Sequence, residues 1–335
     1  ALRNIGLIHC ADKDYELAEE FINKALKIDP KDSSALNNLG QVFVSDLQLD
    51  KGIECFQRAL KIDTKNSLIY RNMGRALMRR RRDEEALEAF QKSMEIDSSE
   101  TEAYYHFAAV LRNMEKLVES EDFVRSALKQ FPKEPLLLCE LSNNLQGQFE
   151  FEEAEKYARQ VLDISPNCGA AMVTLAIVLI HTGSEEEVLE IYKKALKEMP
   201  NEMSVSFNYA LTLFCYGHLE EAWKRYRLRW ETESFTSPVR SFPQDQWDGS
   251  PLKGKSIILY GEQGLGDEIR HASMVPDMLK MGAEVYVECE PRLVDIFQRS
   301  FEGANVFPYP YTEAETGKVD IDFQSAILDL GGYLR

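Results

Sequence analysis

SSALNNLGQVFVSDLQLDKGIECFQRALKIDTKN, Ser33 to Asn66, runs without a gap into SLIYRNMGRALMRRRRDEEALEAFQKSMEIDSSE, Ser67 to Glu100. Both stretches are 34 residues long, and the same period extends outward in both directions. Aligning Pro30, Pro132, Pro166 and Pro200 at one position starts further units at Thr101, Pro135, Gly169 and Met203 with no insertion. In this frame position 8 is always small: Gly6, Gly40, Gly74, Ala108, Ser142, Ala176, Ala210. Position 20 is nearly so, with Ala18, Gly52, Ala86, Ser120, Ala154, Val188 and Ala222, while position 24 holds Ile22, Phe56, Phe90, Val124, Ala158, Tyr192 and Tyr226. Two helices of a hairpin pack about 8–10 Å apart only where small residues let the backbones cross. The prolines fall just after the second helix, where they stop it without removing a needed hydrogen bond.

About seven such units fill residues 1–231, and they resemble the tetratricopeptide repeat. The resemblance implies an all-α solenoid whose first helices line a groove that binds a protein or peptide. Position 6 carries Asn4, Asn38, Asn72 and Asn208, interrupted by His106, Glu140 and Thr174. In arrays similar to that of O-GlcNAc transferase, asparagines at this position grip the backbone of an extended peptide, for which an amide has both donor and acceptor. The alternative is that they make ordinary solvated or intra-repeat polar contacts. The run Arg79 to Arg82 precedes Asp83, Glu84 and Glu85 and reads as a locally neutralised turn.

Composition bounds the function. A net charge of −17 in 335 residues argues against nucleic acid or an anionic membrane as the main partner, since phosphates need clustered Lys and Arg. The six cysteines are scattered singly, with no CxxC and no metal-ligand spacing, so buried thiols in a reducing, cytoplasmic setting and no metal site are expected. No apolar run is long enough to span a bilayer. The first residue falls inside a helical pattern and the last follows an apolar segment, so both ends read as cut.

All three tryptophans, Trp223, Trp230 and Trp247, lie where the period stops, which predicts a packed joint. Residues 232–254, rich in Pro, Ser and Gly, read as the connection. Ser256 to Tyr260 then reads as a buried strand leading into the loop Gly261 to Asp267, and alternating helices and strands follow near 283–289, 305–307 and 321–328. This order predicts a partial parallel α/β domain over 255–335, with any ligand at the carboxyl ends of the strands. A glycine-rich turn at the first helix lets backbone N–H groups approach an anion, although Asp267 alone also suits a helix start. Pro276 is expected to kink or end that helix.

A longer string is more specific. Trp223, Tyr226 and Trp230, then Arg240, Trp247-Asp248-Gly249, and LYGEQGLGDEI from Leu259 to Ile269 resemble bacterial tetratricopeptide proteins with a domain like glycosyltransferase family 9. These are relatives of the ADP-heptose lipopolysaccharide heptosyltransferases, with a GT-B fold of two Rossmann-like lobes. The resemblance implies an inverting transfer from a nucleotide-sugar donor, a glycan or protein acceptor presented by the repeats, and Asp267 as catalytic base.

Gly261, Glu262, Gln263, Gly264 and Gly266 would line the same loop as substrate-binding residues. His271 would orient Asp267 or the acceptor and Arg270 would meet a phosphate, unless both merely occupy a helix face. The residues after Pro251 make part of one lobe, so this chain alone is expected to be inactive and to hold no cofactor. A scaffold that only binds partner proteins is the alternative reading.

Overall fold

A computed structural model describes residues 2–232, 240, 242–262, 264–315 and 317–334. The chain divides into two compact units, Ala1–Ser184 and Glu185–Arg335.

The first unit contains five helical hairpins and one further helix. The hairpins are α1 (Leu2–Ala11) with α2 (Tyr15–Ile28), α3 (Ser33–Ser45) with α4 (Leu49–Ile62), α5 (Ser67–Arg79) with α6 (Asp83–Ile96), α7 (Thr101–Asn113) with α8 (Leu117–Gln130), and α9 (Pro135–Gly147) with α10 (Phe151–Ile164). The further helix is α11 (Gly169–Thr182). Small residues do what their spacing implied. A Cβ added at Gly40 would strike the Phe56 ring, and one at Gly74 would come within 2.7–2.9 Å of the Phe90 ring. Where position 8 or 20 is serine, the hydroxyl donates across the crossing: Ser142 Oγ to the Ala154 carbonyl at 2.7 Å and Ser120 Oγ to the Ala108 carbonyl at 2.8 Å.

The turns between paired helices repeat at the same period. Lys13, Leu47, Arg81, Glu115 and Phe149 all have φ between 60° and 67°, the left-handed region. At each turn the next N–H reaches back five residues, as from Gln48 to the Phe43 carbonyl at 2.8 Å and from Arg82 to the Leu77 carbonyl at 3.0 Å. This is the Schellman closure, which satisfies helix-end carbonyls and whose left-handed position is usually glycine. Successive first helices α1, α3, α5, α7, α9 and α11 lie against one another, forming one continuous face of the unit.

The second unit opens with α12 (Glu185–Glu198) and the hairpin α13 (Met203–Tyr216) and α14 (Leu219–Tyr226), which ends in a 3-10 turn, Arg227–Glu231. Its α/β part comprises β1 (Asp245–Gln246), β2 (Ser256–Tyr260), α15 (Leu265–Ala272), α16 (Val275–Lys280), β3 (Glu284–Cys289), α17 (Val294–Ser300), β4 (Asn305–Pro308), α18 (Thr312–Glu315), β5 (Phe323–Ala326) and α19 (Gly331–Leu334). The strands pair in the order β1-β5-β2-β3-β4, all parallel, and β2 is buried throughout. The helix after β2 breaks into α15 and α16, with Pro276 in the first turn of the second.

Two boundaries differ from expectation. The break between compact units falls at Ser184 rather than after residue 231, because α13 and α14 share a core with the sheet. Ala210 and Tyr226 belong to the same buried cluster as Ile257, Leu259 and Val287, with Phe207, Phe214 and Trp223 packed against it. The connection read over 232–254 is also partly structural, since β1 joins the sheet edge and Trp247 and Leu252 are core residues. Residues 233–239 and 241 lie outside the described residues. All six cysteines are free thiols; Cys55, Cys139 and Cys289 are buried, whereas Cys215 is exposed.

Candidate functional site

The tryptophan-rich joint and the glycine loop turn out to be one structure. Trp223 of α14 lies against Gly331, where a Cβ would overlap the indole, and meets the rings of Phe214 and Tyr226 edge-on at 4.7 and 5.6 Å. Trp247 is fully buried; its Nε1 donates to the Ser250 carbonyl at 2.9 Å and its own carbonyl accepts from the Tyr333 hydroxyl at 2.9 Å. Between these anchors the 3-10 turn drives Arg229 into the unit. That side chain is 0% exposed and lies over the Tyr226 ring at 4.7 Å.

Arg229 binds two carboxylates. Its Nε donates to Glu262 Oε1 at 3.1 Å, its Nη2 joins the same oxygen, and its Nη1 donates to Asp329 Oδ1 at 2.7 Å. Glu262 follows β2 and Asp329 follows β5, and these adjacent strands flank the place where the strand order reverses. In open parallel sheets the crevice at such a reversal is the usual ligand site. Here a guanidinium from the helical part of the chain reaches it. One cation facing two carboxylates leaves one negative charge over. Burial pushes Glu262 up to about 7, with Arg229 opposing the shift. Its Oε2 is buried without a hydrogen-bond partner.

Several loop residues therefore serve differently from expectation. Glu262 is buried and latched to Arg229, so it does not present its carboxylate to the loop surface. Gly261 does not open the backbone to a ligand either, because the Glu268 carboxyl fills the space a Cβ would take. Glu268 is itself buried and accepts from the Glu290 N–H at 3.0 Å. Gln263 lies outside the described residues.

Gly264 and Gly266, by contrast, border open space: nothing lies within 4 Å of a Cβ at Gly266, and only Asp267 Oδ2 reaches one at Gly264. Asp267 stands in the first turn of α15 with its side chain 36% exposed, and Arg270 pairs with it at 3.0 Å. His271 is buried and spends Nδ1–H on the Asp267 main-chain carbonyl at 2.8 Å, so it holds the helix turn rather than the carboxylate. Burial pushes its imidazole below the usual range.

A second ion pair closes the neighbouring strand end. Glu288 of β3 is buried, pairs with Arg240 Nη2 at 2.9 Å and accepts the Tyr311 N–H at 2.9 Å. Sequence reasoning missed Arg229, Glu268, Glu288 and Asp329. The available signal was charge inside apolar runs, as with the glutamate of VYVEC and the arginine between two aromatic residues in YRLRW.

The asparagine row of the repeats is uneven. Asn4 is exposed, Asn38 and Asn208 are half-buried, and Asn72 is buried with its Nδ2 donating to Asn37 Oδ1 at 2.9 Å. Asn72 is thus engaged within the array, and its amide is not a free grip for peptide backbone. Arg80 pairs with Asp50 at 3.1 Å and Arg82 with Glu85 at 2.7 Å, which neutralises that turn. Further along the first-helix face, Arg112 reaches the buried Glu140 at 2.7 Å.

Family models described as tetratricopeptide repeat match residues 2–32, 37–101 and 145–204. Protein FlbA of Caulobacter vibrioides is 27% identical over 176 residues, which is 51% of this chain and 28% of that protein. The chain thus matches little more than a quarter of the length of this curated relative. Among solved structures, a tetratricopeptide repeat protein from Parabacteroides merdae is 16% identical with a TM-score of 0.56, covering 68% of this chain and 90% of its own. The Cut9–Hcn1 heterotetramer of the APC/C is 17% identical with a TM-score of 0.52, covering 63% of this chain and 42% of its own. At these identities the structural likenesses speak to the fold alone. No helix among the described residues is long and apolar enough to cross a membrane.

Proposed function

We propose that this chain, whose repeats are tetratricopeptide repeats, is part of an inverting glycosyltransferase in which the repeats hold a protein or glycan acceptor and Asp267 is the base. The observation that carries the reading is the setting of Asp267. It lies just past the carboxyl end of the central strand, a third open to solvent, beside two glycine positions with room for a ligand. Inverting transfer needs a carboxylate to take the acceptor hydroxyl's proton as the nucleotide leaves, a role worth about 10²–10⁴ in rate. The α/β part would be the first lobe of a GT-B fold, and the nucleotide-sugar donor would be held by a second lobe.

The experiment is sugar transfer by the full-length protein carrying Asp267→Asn. Turnover should fall by about 10²–10⁴-fold, with the melting temperature nearly unchanged because the side chain is partly open and makes only a surface pair. Transfer at the wild-type rate would reduce Asp267 to a helix-start residue.

A second reading has its own support: Arg229 engages both carboxylates at the strand reversal, which suits an α/β unit kept as a structural end-piece of a protein-binding scaffold. Donor hydrolysis or transfer by the full-length protein separates the two.

A further inference from the structure

Charge in the third hairpin is segregated between its two helices. α3 and α5 contain no Asp or Glu, and α5 carries Arg71, Arg75 and Arg79 at four-residue spacing, one stripe of a helix. The second helix α6 alone carries Asp83, Glu84, Glu85, Glu88 and Glu95. A chain of net charge −17 therefore keeps a cationic strip on its first-helix face.

The three arginines are not equivalent. Arg71 is taken up by Glu100 at 2.7 Å and Glu102 at 2.9 Å, and Arg79 Nη1 donates to the Val44 carbonyl at 3.3 Å. Arg75 is exposed, and no carboxylate among the described residues pairs with it. Gln41 and Ser45 of α3 join Asn72, Arg75 and Arg79 of α5 around a pocket of about 320 Å³. On α7, His106 stacks on Phe90 at 5.4 Å with its Nδ1 buried and unpartnered, and Nε of Arg71 is likewise buried without a partner. Burial, then the charges of Arg75 and Arg71, push His106 down to about 4, so at neutral pH the imidazole is uncharged and Nδ1 or Nε2 can accept.

We infer that the first-helix face of the second and third hairpins binds an acidic peptide segment in extended conformation, with a side-chain carboxylate on the Arg75 guanidinium. A guanidinium offers a planar fork of donors that matches a carboxylate. The chain's overall negative charge does not cancel this attraction, because at physiological salt charges beyond about 8 Å are largely screened, the residues that share the pocket with Arg75 are neutral or cationic, and Glu100 and Glu102 are paired with Arg71. From Arg71 to Arg79 the strip runs two helical turns, about 12 Å, which roughly four residues of an extended peptide cover. The inference rests on the reading of the first-helix face as the partner-binding surface, and names the chemistry of that partner.

The test is fluorescence anisotropy of the chain with fluorescein-labelled hexaglutamate, hexaglutamine and an oligothymidylate as probes. Hexaglutamate should bind, weaken as salt is raised, and lose about tenfold or more in affinity on Arg75→Glu. Arg81→Glu, the same charge change on an exposed turn residue, should leave binding unchanged. The melting midpoint of each variant, followed by circular dichroism, checks that the array is intact. Equal losses in both variants, or oligothymidylate binding as well as hexaglutamate, would overturn the proposal as general anion attraction. Hexaglutamine binding as well as hexaglutamate would leave the face a peptide site but remove the carboxylate recognition. Failure of both peptides would remove the surface reading itself.

Discussion

Leu47 shows how a single residue can carry a cost imposed by its neighbours. Its φ is 60° and the residue is 72% exposed, so the left-handed backbone is unfavourable and little packing offsets it. That conformation costs a non-glycine residue roughly 1–2 kcal/mol, and the Schellman closure demands it at every hairpin turn. Leu47→Gly relieves the strain but frees the unfolded chain, a penalty of about 0.4–1 kcal/mol. The net expectation is a gain of about 0.5–1 kcal/mol, read as a higher denaturant midpoint with unchanged slope. A lower midpoint would mean that Leu47's few contacts outweigh its strain. Gly217, at the matching turn of α13 and α14, has φ 82° and already uses the residue that the geometry prefers.

At the scale of the element, each hairpin is held by a small residue on one helix received by a large one on the other. Gly74 and Phe90 are the clearest pair, since Phe90 is fully buried and has nowhere to retreat. Gly74→Leu should cost about 1–3 kcal/mol by overpacking and lower the thermal midpoint of the first unit, followed by helical circular dichroism. An unchanged midpoint would mean that position 8 is not the crossing point. This part of the fold was legible in the sequence because helix crossing depends on local spacing: residues 8 and 24 of a repeat are always 16 apart, and the 34-residue period restates the rule at each turn. The chemistry of the first-helix face was less legible. Asn72 and Asn38 occupy the same repeat position, yet Asn72 is buried against Asn37 while Asn38 is only half-buried, a difference that repeat numbering does not encode.

For the whole molecule, the decisive contact joins parts of the chain far apart in sequence. Arg229 meets Glu262 and, 100 residues from its own position, Asp329. The leftover charge of this trio makes a pH prediction. Glu262 holds its proton to about pH 7 in the fold, against 4.5 ordinarily. Across that window the folded state keeps a proton that the unfolded chain has released, so this group's contribution lowers stability as pH rises. Glu262→Gln keeps the shape and removes the titration. The unfolding free-energy difference between wild type and variant, from denaturant titrations at each pH, should therefore move in the variant's favour from pH 4.5 to 7.5, by at most about 3 kcal/mol. Parallel curves would mean that Glu262 does not carry this titration.

The sequence by itself determined the helical repeats, the parallel strands, the glycine loop and the position of Asp267, because each follows from spacing within a few tens of residues. Only the tertiary structure decided what the loop residues face. Glu262 turned inward to Arg229, Gly261 made room for Glu268, and the last hairpin merged its core with the sheet. The physical reason is that buried charges must find partners, and which carboxylates meet depends on strand order. In the order β1-β5-β2-β3-β4, the last strand lies beside the central one, and no local pattern announces that.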